Sequence, residues 1–110
     1  MSMEISAKLN NLRIAPRKVR RIADLVRGME ADKARAVLKF SKLRAAEPIL
    51  KLVNSALANA KSNFSIEEGL FVKKILVDAG RVYKRFRPAP RGTALPIRKR
   101  TSHITIILGN

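Results

Sequence analysis

Eight basic side chains and no carboxylate fall within the last thirty residues: Arg81, Lys84, Arg85, Arg87, Arg91, Arg98, Lys99 and Arg100. Cations gathered without counter-ions are chemistry for neutralising phosphates, which releases the ions condensed on a polyanion. A second basic group lies earlier, at Arg13, Arg17, Lys18, Arg20 and Arg21. The ingredients of catalysis are sparse by comparison. His103 is the only histidine and cysteine is absent, so nucleophile–base pairs lack their usual members. The acids Glu4, Asp24, Glu30, Asp32, Glu47, Glu67, Glu68 and Asp78 are scattered, and adjacent Glu67-Glu68 offer no paired geometry for proton transfer. No glycine-rich phosphate loop and no metal-ligand spacing occurs. These residues predict a binding protein that needs no cofactor, no metal and no small-molecule substrate.

The balance of charge narrows the partner. Of 110 residues, 24 are Lys or Arg and 8 are Asp or Glu, a net charge of +16. Residues 1–80 hold all of the acids, and the last thirty residues hold half of the excess. Such a surplus repels itself unless a polyanion neutralises it. Nucleic acid is the commonest one in the cytosol. A membrane surface fits less well, because anchoring helices use aromatic residues and this chain has no Trp, one Tyr and four Phe. No apolar run approaches the ~18–20 residues that cross a bilayer. The start, Met1-Ser2-Met3-Glu4, lacks the layout of a secretory signal. With no cysteine, the expected address is cytoplasmic.

The elements that carry these charges follow from periodicity. The length suits one domain over residues 1–110. Ile5, Ala7 and Leu9 alternate with polar residues, which predicts a half-buried strand over 4–12. Pro16 suits a first helical turn, and Val19, Ile22, Ala23 and Val26 form one apolar stripe ahead of Gly28, a candidate left-handed cap. The helix over 16–27 then turns Arg17, Arg20 and Arg21 outward, with Asp24 and Arg27 beside them. A shorter helix is expected over 31–41, with Ala34, Val37, Leu38 and Ser41 on one side. A third is expected from 45 or 46 to 61, where Leu50, Val53, Leu57 and Ala60 make a stripe widened by Ile49, Leu52 and Ala56. Residues 62–65 and 67–69 read as loop. Two extended stretches follow, about 70–87 and 97–108, around a tip rich in proline.

The two final strands predict a hairpin longer than the body can cover. One register opposes Ile75, Val77 and Ala79 to Leu108, Ile106 and Ile104, and farther out Lys84 to Lys99 and Arg85 to Arg98. A domain of this size has a radius of gyration near 13 Å. Arms of roughly eleven residues at ~3.3 Å each span about 36 Å, so the outer part must project. A lone two-stranded ribbon is marginal in water, and opposed like charges weaken it further. Counter-charges on both sides reverse that penalty, so an arm over about 80–100 is suited to insertion between nucleic-acid segments. The expected architecture is α+β: three helices on a small antiparallel three-stranded sheet, with two strands extended into a basic hairpin. An architectural DNA-binding protein with β-ribbon arms is the alternative. Such proteins work as dimers, whereas the apolar residues here are taken up by a monomeric core.

Three segments carry a family resemblance. Pro16-Arg17-Lys18-Val19-Arg20 with Ala23-Asp24-Leu25-Val26-Arg27-Gly28 resembles the first helix of the bacterial large-subunit ribosomal protein twenty-two family. Asn54-Ser55-Ala56-Leu57-Ala58-Asn59-Ala60 is similar to its central helix, and Lys99-Arg100-Thr101-Ser102-His103-Ile104-Thr105-Ile106 to its most recognisable stretch. The resemblance implies a structural protein of the large ribosomal subunit that binds ribosomal RNA among neighbouring ribosomal proteins. It places Thr101, Ser102 and His103 with the basic residues as RNA-binding candidates. It also implies that the tip, Arg87-Pro88-Ala89-Pro90-Arg91-Gly92-Thr93-Ala94-Leu95-Pro96, lines the exit tunnel beside the nascent peptide.

Overall fold

The alternating and helical spacings resolve into strand β1 (Glu4–Leu12), helices α1 (Pro16–Val26), α2 (Ala31–Phe40) and α3 (Ala46–Phe64), then strands β2 (Phe71–Pro88) and β3 (Ala94–Gly109). In the computed structural model, residues 4–65, 69–88 and 94–109 are described, with 83–88 and 94–98 given by their backbone. The strands form one antiparallel sheet in the order β1-β3-β2. This is the α+β arrangement expected.

The last strand is the middle one. Its Ile104, Ile106 and Leu108 are fully buried, flanked by Ile5 and Ala7 of β1 and by Val72, Ile75 and Val77 of β2. The helices cover that face with Val19, Ile22, Ala23 and Val26 of α1, Ala34 and Leu38 of α2, and Ile49, Leu52, Val53, Ala56 and Ala60 of α3. Each large side chain removed from water contributes about 1.5–3 kcal/mol.

Helix ends depart from expectation: α1 and α2 each stop one residue early, at Val26 and Phe40, and α3 runs long. α3 continues to Phe64, so residues 62–64 are helical, and Ser65 ends it in the left-handed region at φ 56° with its N–H on the Ala60 carbonyl. Leu50 and Leu57 are only partly buried, because α3 turns Ile49, Leu52, Val53 and Ala56 to the core. Gly28 does adopt a left-handed φ of 83°. Its N–H, however, leaves the helix and reaches the Val72 carbonyl at 2.8 Å. The glycine therefore joins α1 to the sheet as well as ending it.

The hairpin register also differs. Ile75 pairs with Ile106 and Val77 with Ile104, two residues away from the expected partners. Farther out Tyr83 opposes Lys99, Lys84 opposes Arg98 and Arg85 opposes Ile97, an offset of one. Two shifts, between Val72 and Lys74 and between Ala79 and Val82, each place an extra residue in β2, so the offset falls from three at the Phe71–Gly109 pair to two and then to one. A slip of two preserves which side chains share a face, so apolar alternation alone does not distinguish the two registers.

Candidate nucleic-acid interface

α1 starts where it does because Pro16 presets the helical φ and forces extended backbone on the residue before it; Ala15 sits at ψ 140°. With Val19, Ile22, Ala23 and Val26 turned inward, Lys18 and Arg21 stand one turn apart on the open side. Arg13 lies in the turn from β1 into α1, and Arg44 in the short link between α2 and α3. Lys99 and Arg100 sit on β3 where it runs outward from the core. These six cations line a single cleft of about 740 Å³ whose walls also include Ile14, Ala15, Leu43 and Ala45. Among the described residues, no carboxylate lines it. Cations converging from four parts of the chain in a concave site focus positive potential.

Other predicted site residues are placed differently. Arg17 and Arg81 are exposed beyond the cleft lining. Arg20 donates from Nη2 to the Val77 carbonyl at 3.1 Å, and Arg27 from Nη2 to the Ile75 carbonyl at 3.0 Å. Both carbonyls lie on β2, an edge strand, so these arginines cover its outer edge. Nearer the start of β2, residues 28–31 continue the cover through Val72 N–H to the Met29 carbonyl and Ala31 N–H to the Leu70 carbonyl. Asp24 pairs with Arg27 at 2.5 Å, three residues on, and both side chains remain well exposed.

Thr101 and Ser102 are buried, with 1% and 0% of their surface exposed. Thr101 Oγ1 donates to the Arg81 carbonyl and Ser102 Oγ to the Ile14 carbonyl, each at 2.6 Å. His103 is half-buried and its Nδ1 accepts from the Asn11 backbone N–H at 3.1 Å. Along the arm, Lys84, Arg85, Arg87 and Pro88 on β2 and Ala94, Leu95, Pro96 and Arg98 on β3 occupy strand backbone. Ala89, Pro90, Arg91, Gly92 and Thr93 lie outside the described residues.

Sequence reasoning missed Arg44. Its signal is the triplet Lys42-Leu43-Arg44, a basic patch in a helix–helix link too short to wander from the helix ends. It also missed the edge cover. Arg20 and Arg27 are seven apart on α1, while Ile75 and Val77 are two apart on β2, and nothing local relates those spacings.

Comparison with known proteins adds an independent finding. The family model for ribosomal protein L22p/L17e matches residues 7–109. The large ribosomal subunit protein uL22 of Mesoplasma florum is 50% identical over 109 residues, covering 98% of this chain and 97% of that protein. Those of Christiangramia forsetii and Flavobacterium psychrophilum are 53% and 50% identical over 94% of this chain and 79% of theirs.

Proposed function

The chain belongs to the ribosomal protein L22p/L17e family, and from that membership we propose that it is a structural protein of the large ribosomal subunit that binds and bridges ribosomal RNA. The observation that carries this reading is the cleft of Arg13, Lys18, Arg21, Arg44, Lys99 and Arg100 at the root of the basic arm, with no carboxylate among its described lining residues. Phosphates seat in the cleft, and the arm continues the same track through Arg81, Lys84, Arg85, Arg87 and Arg98. RNA segments that repel one another are held together by cations on both faces of a ribbon. Recognition rests on backbone and shape more than on base edges. The work is binding alone, with no catalytic step.

The far end of the hairpin, residues 87–96, forms part of the exit-tunnel wall and meets the nascent peptide. Family membership and the outward run of paired strand beyond β1 support this placement. The protein works on the ribosome in the cytoplasm, beside other large-subunit proteins.

Binding to large-subunit ribosomal RNA is expected to weaken ~10³-fold or more between about 50 and 200 mM salt. Filter binding across that range tests it, with duplex DNA as competitor. A flat salt response contradicts the phosphate mechanism, and displacement of the RNA by equimolar duplex DNA favours an architectural DNA-binding role.

A further inference from the structure

We propose that Thr101, Ser102 and His103 of β3, together with Gly80 of β2, are positioning residues that set the direction in which the basic arm leaves the body. The inference rests on the reading that this arm enters ribosomal RNA.

At this level of the sheet both outer strands lose register against the middle one. β1 pairs Leu9 with Ile104 and next Leu12 with Ser102, so β1 carries an extra residue, and Asn11 takes a left-handed φ of 58°. β2 pairs Ala79 with Ser102 and next Val82 with Arg100, so Gly80 and Arg81 together oppose Thr101. A bulge re-aims a strand by local bending and added twist. Two bulges flanking one tripeptide form a joint between the three-stranded sheet and the two-stranded arm.

Each residue of the tripeptide fastens a different part of the joint. Thr101 holds the β2 bulge through the Arg81 carbonyl, and Ser102 holds the turn into α1 through the Ile14 carbonyl. His103 holds the β1 bulge by accepting from Asn11 N–H, which requires Nδ1 unprotonated. These bonds close across 20, 88 and 92 residues of chain, so they tie the arm to remote elements of the body.

Gly80 supplies the room. Its φ is outside the left-handed region, so the requirement is space: an added Cβ would lie 2.5 Å from Thr101 Oγ1 and 3.1 Å from His103 Nε2. Any side chain there pushes β2 away from both fasteners. A tilt of about 10° at the bulge moves the end of seven ~3.3 Å steps by about 4 Å. That is enough to lose hydrogen-bonded contact with a fixed phosphate.

The chain has no cysteine, so single probes can be attached at will. An iron–EDTA group is placed on Phe86→Cys in the arm or on Lys39→Cys on the exposed side of α2. Hydroxyl-radical cleavage is then mapped on large-subunit ribosomal RNA bound to the full-length protein. Gly80→Ala is expected to shift or spread the arm-probe pattern while leaving the body-probe pattern and the salt slope of binding in place. Thr101→Val, which keeps shape and loses the donor, is expected to do the same, and Thr101→Ser to restore the original pattern. If Gly80→Ala does not fold, the Thr101 pair decides alone. An arm pattern unchanged in the folded variants overturns the proposal. Absence of cleavage from both probes with the joint unaltered overturns the RNA-binding reading, and this inference with it.

Discussion

One hairpin contains two regimes of stabilisation. In its inner part, residues 71–79 against 102–109, β3 has strands on both sides and buries Ile104, Ile106 and Leu108 under three helices. The outer edge of β2 is closed by residues 28–31, Arg27 and Arg20. In its outer part, from the Val82–Arg100 pair onward, β1 has ended and β2 and β3 have only each other within the sheet. The inner part is held by apolar burial; under the proposed function the outer part takes its stabilisation from a partner of opposite charge. The difference shows that continuous backbone pairing is no guide to where folding energy resides. The radius of gyration, 17.0 Å against about 13 Å for a compact chain of this length, records the same division.

Removing residues 83–98 and closing the gap with a two-residue Asn-Gly turn is the severest test. The deletion takes out five cations, Lys84, Arg85, Arg87, Arg91 and Arg98. The salt slope of RNA binding is expected to fall by about 4, and affinity by orders of magnitude, since each phosphate contact contributes roughly 0.7–0.9 to the slope. The body is expected to keep a cooperative urea transition. Loss of that transition would erase the division between the two parts.

The converse lesion is Ile106→Ala at the centre of β3, where the side chain is fully buried. It is expected to cost about 3–4 kcal/mol, read from the shift in urea midpoint at constant m-value. Salt dependence of RNA binding by the fraction still folded stays unchanged. In the cleft, Arg21→Ala with Arg44→Ala lowers the salt slope by about 1–2 without moving the urea midpoint. A smaller effect is expected from Arg27→Met, which leaves the Ile75 carbonyl on the open edge unbonded: about 1 kcal/mol of stability, with self-association detected by light scattering.

What was legible in the sequence follows the range of the interactions. Strand β1 and helix α1 could be read because Ile5, Ala7 and the stripe from Val19 to Val26 repeat at local periods. The antiparallel pairing of the last two strands could be read because apolar alternation resumes after the proline-rich tip. The register could not, because a slip of two residues keeps the same side chains on each face, and local alternation does not announce the bulges at Lys73 and at Gly80–Arg81. Thr101 and Ser102 lie within a basic run and so look like ligand residues. Only the fold shows that their hydroxyls are spent on Arg81 and Ile14. The cleft was half visible: Lys99 and Arg100 stand far along the chain from Lys18 and Arg21, and β3 returning beside β1 brings them together.

The finest test of the comparison is a change of sign rather than of size. Lys84 stands opposite Arg98 in the backbone register, and like charges in directly opposed positions cost a strand pair about 0.2–1 kcal/mol. Lys84→Glu turns that repulsion into a cross-strand ion pair. Amide exchange of the outer strand backbone in the free protein is then expected to slow by about 2–5-fold, the same energy expressed as an opening equilibrium. Binding to ribosomal RNA is expected to move the other way, because an anion now faces phosphate where a cation stood. A charge reversal in the body has no such double effect: Glu47→Lys, facing Lys51 one turn along α3, affects a pair more than three-quarters exposed on both sides. Its removal changes stability by at most about 0.5 kcal/mol and leaves amide exchange in the arm where it was. Opposite signs for Lys84→Glu identify the arm's charges as placed for a partner at the arm's own expense. Improvement in both measurements would mean that the outer ribbon is built for itself, and the two parts of the hairpin would then obey one rule.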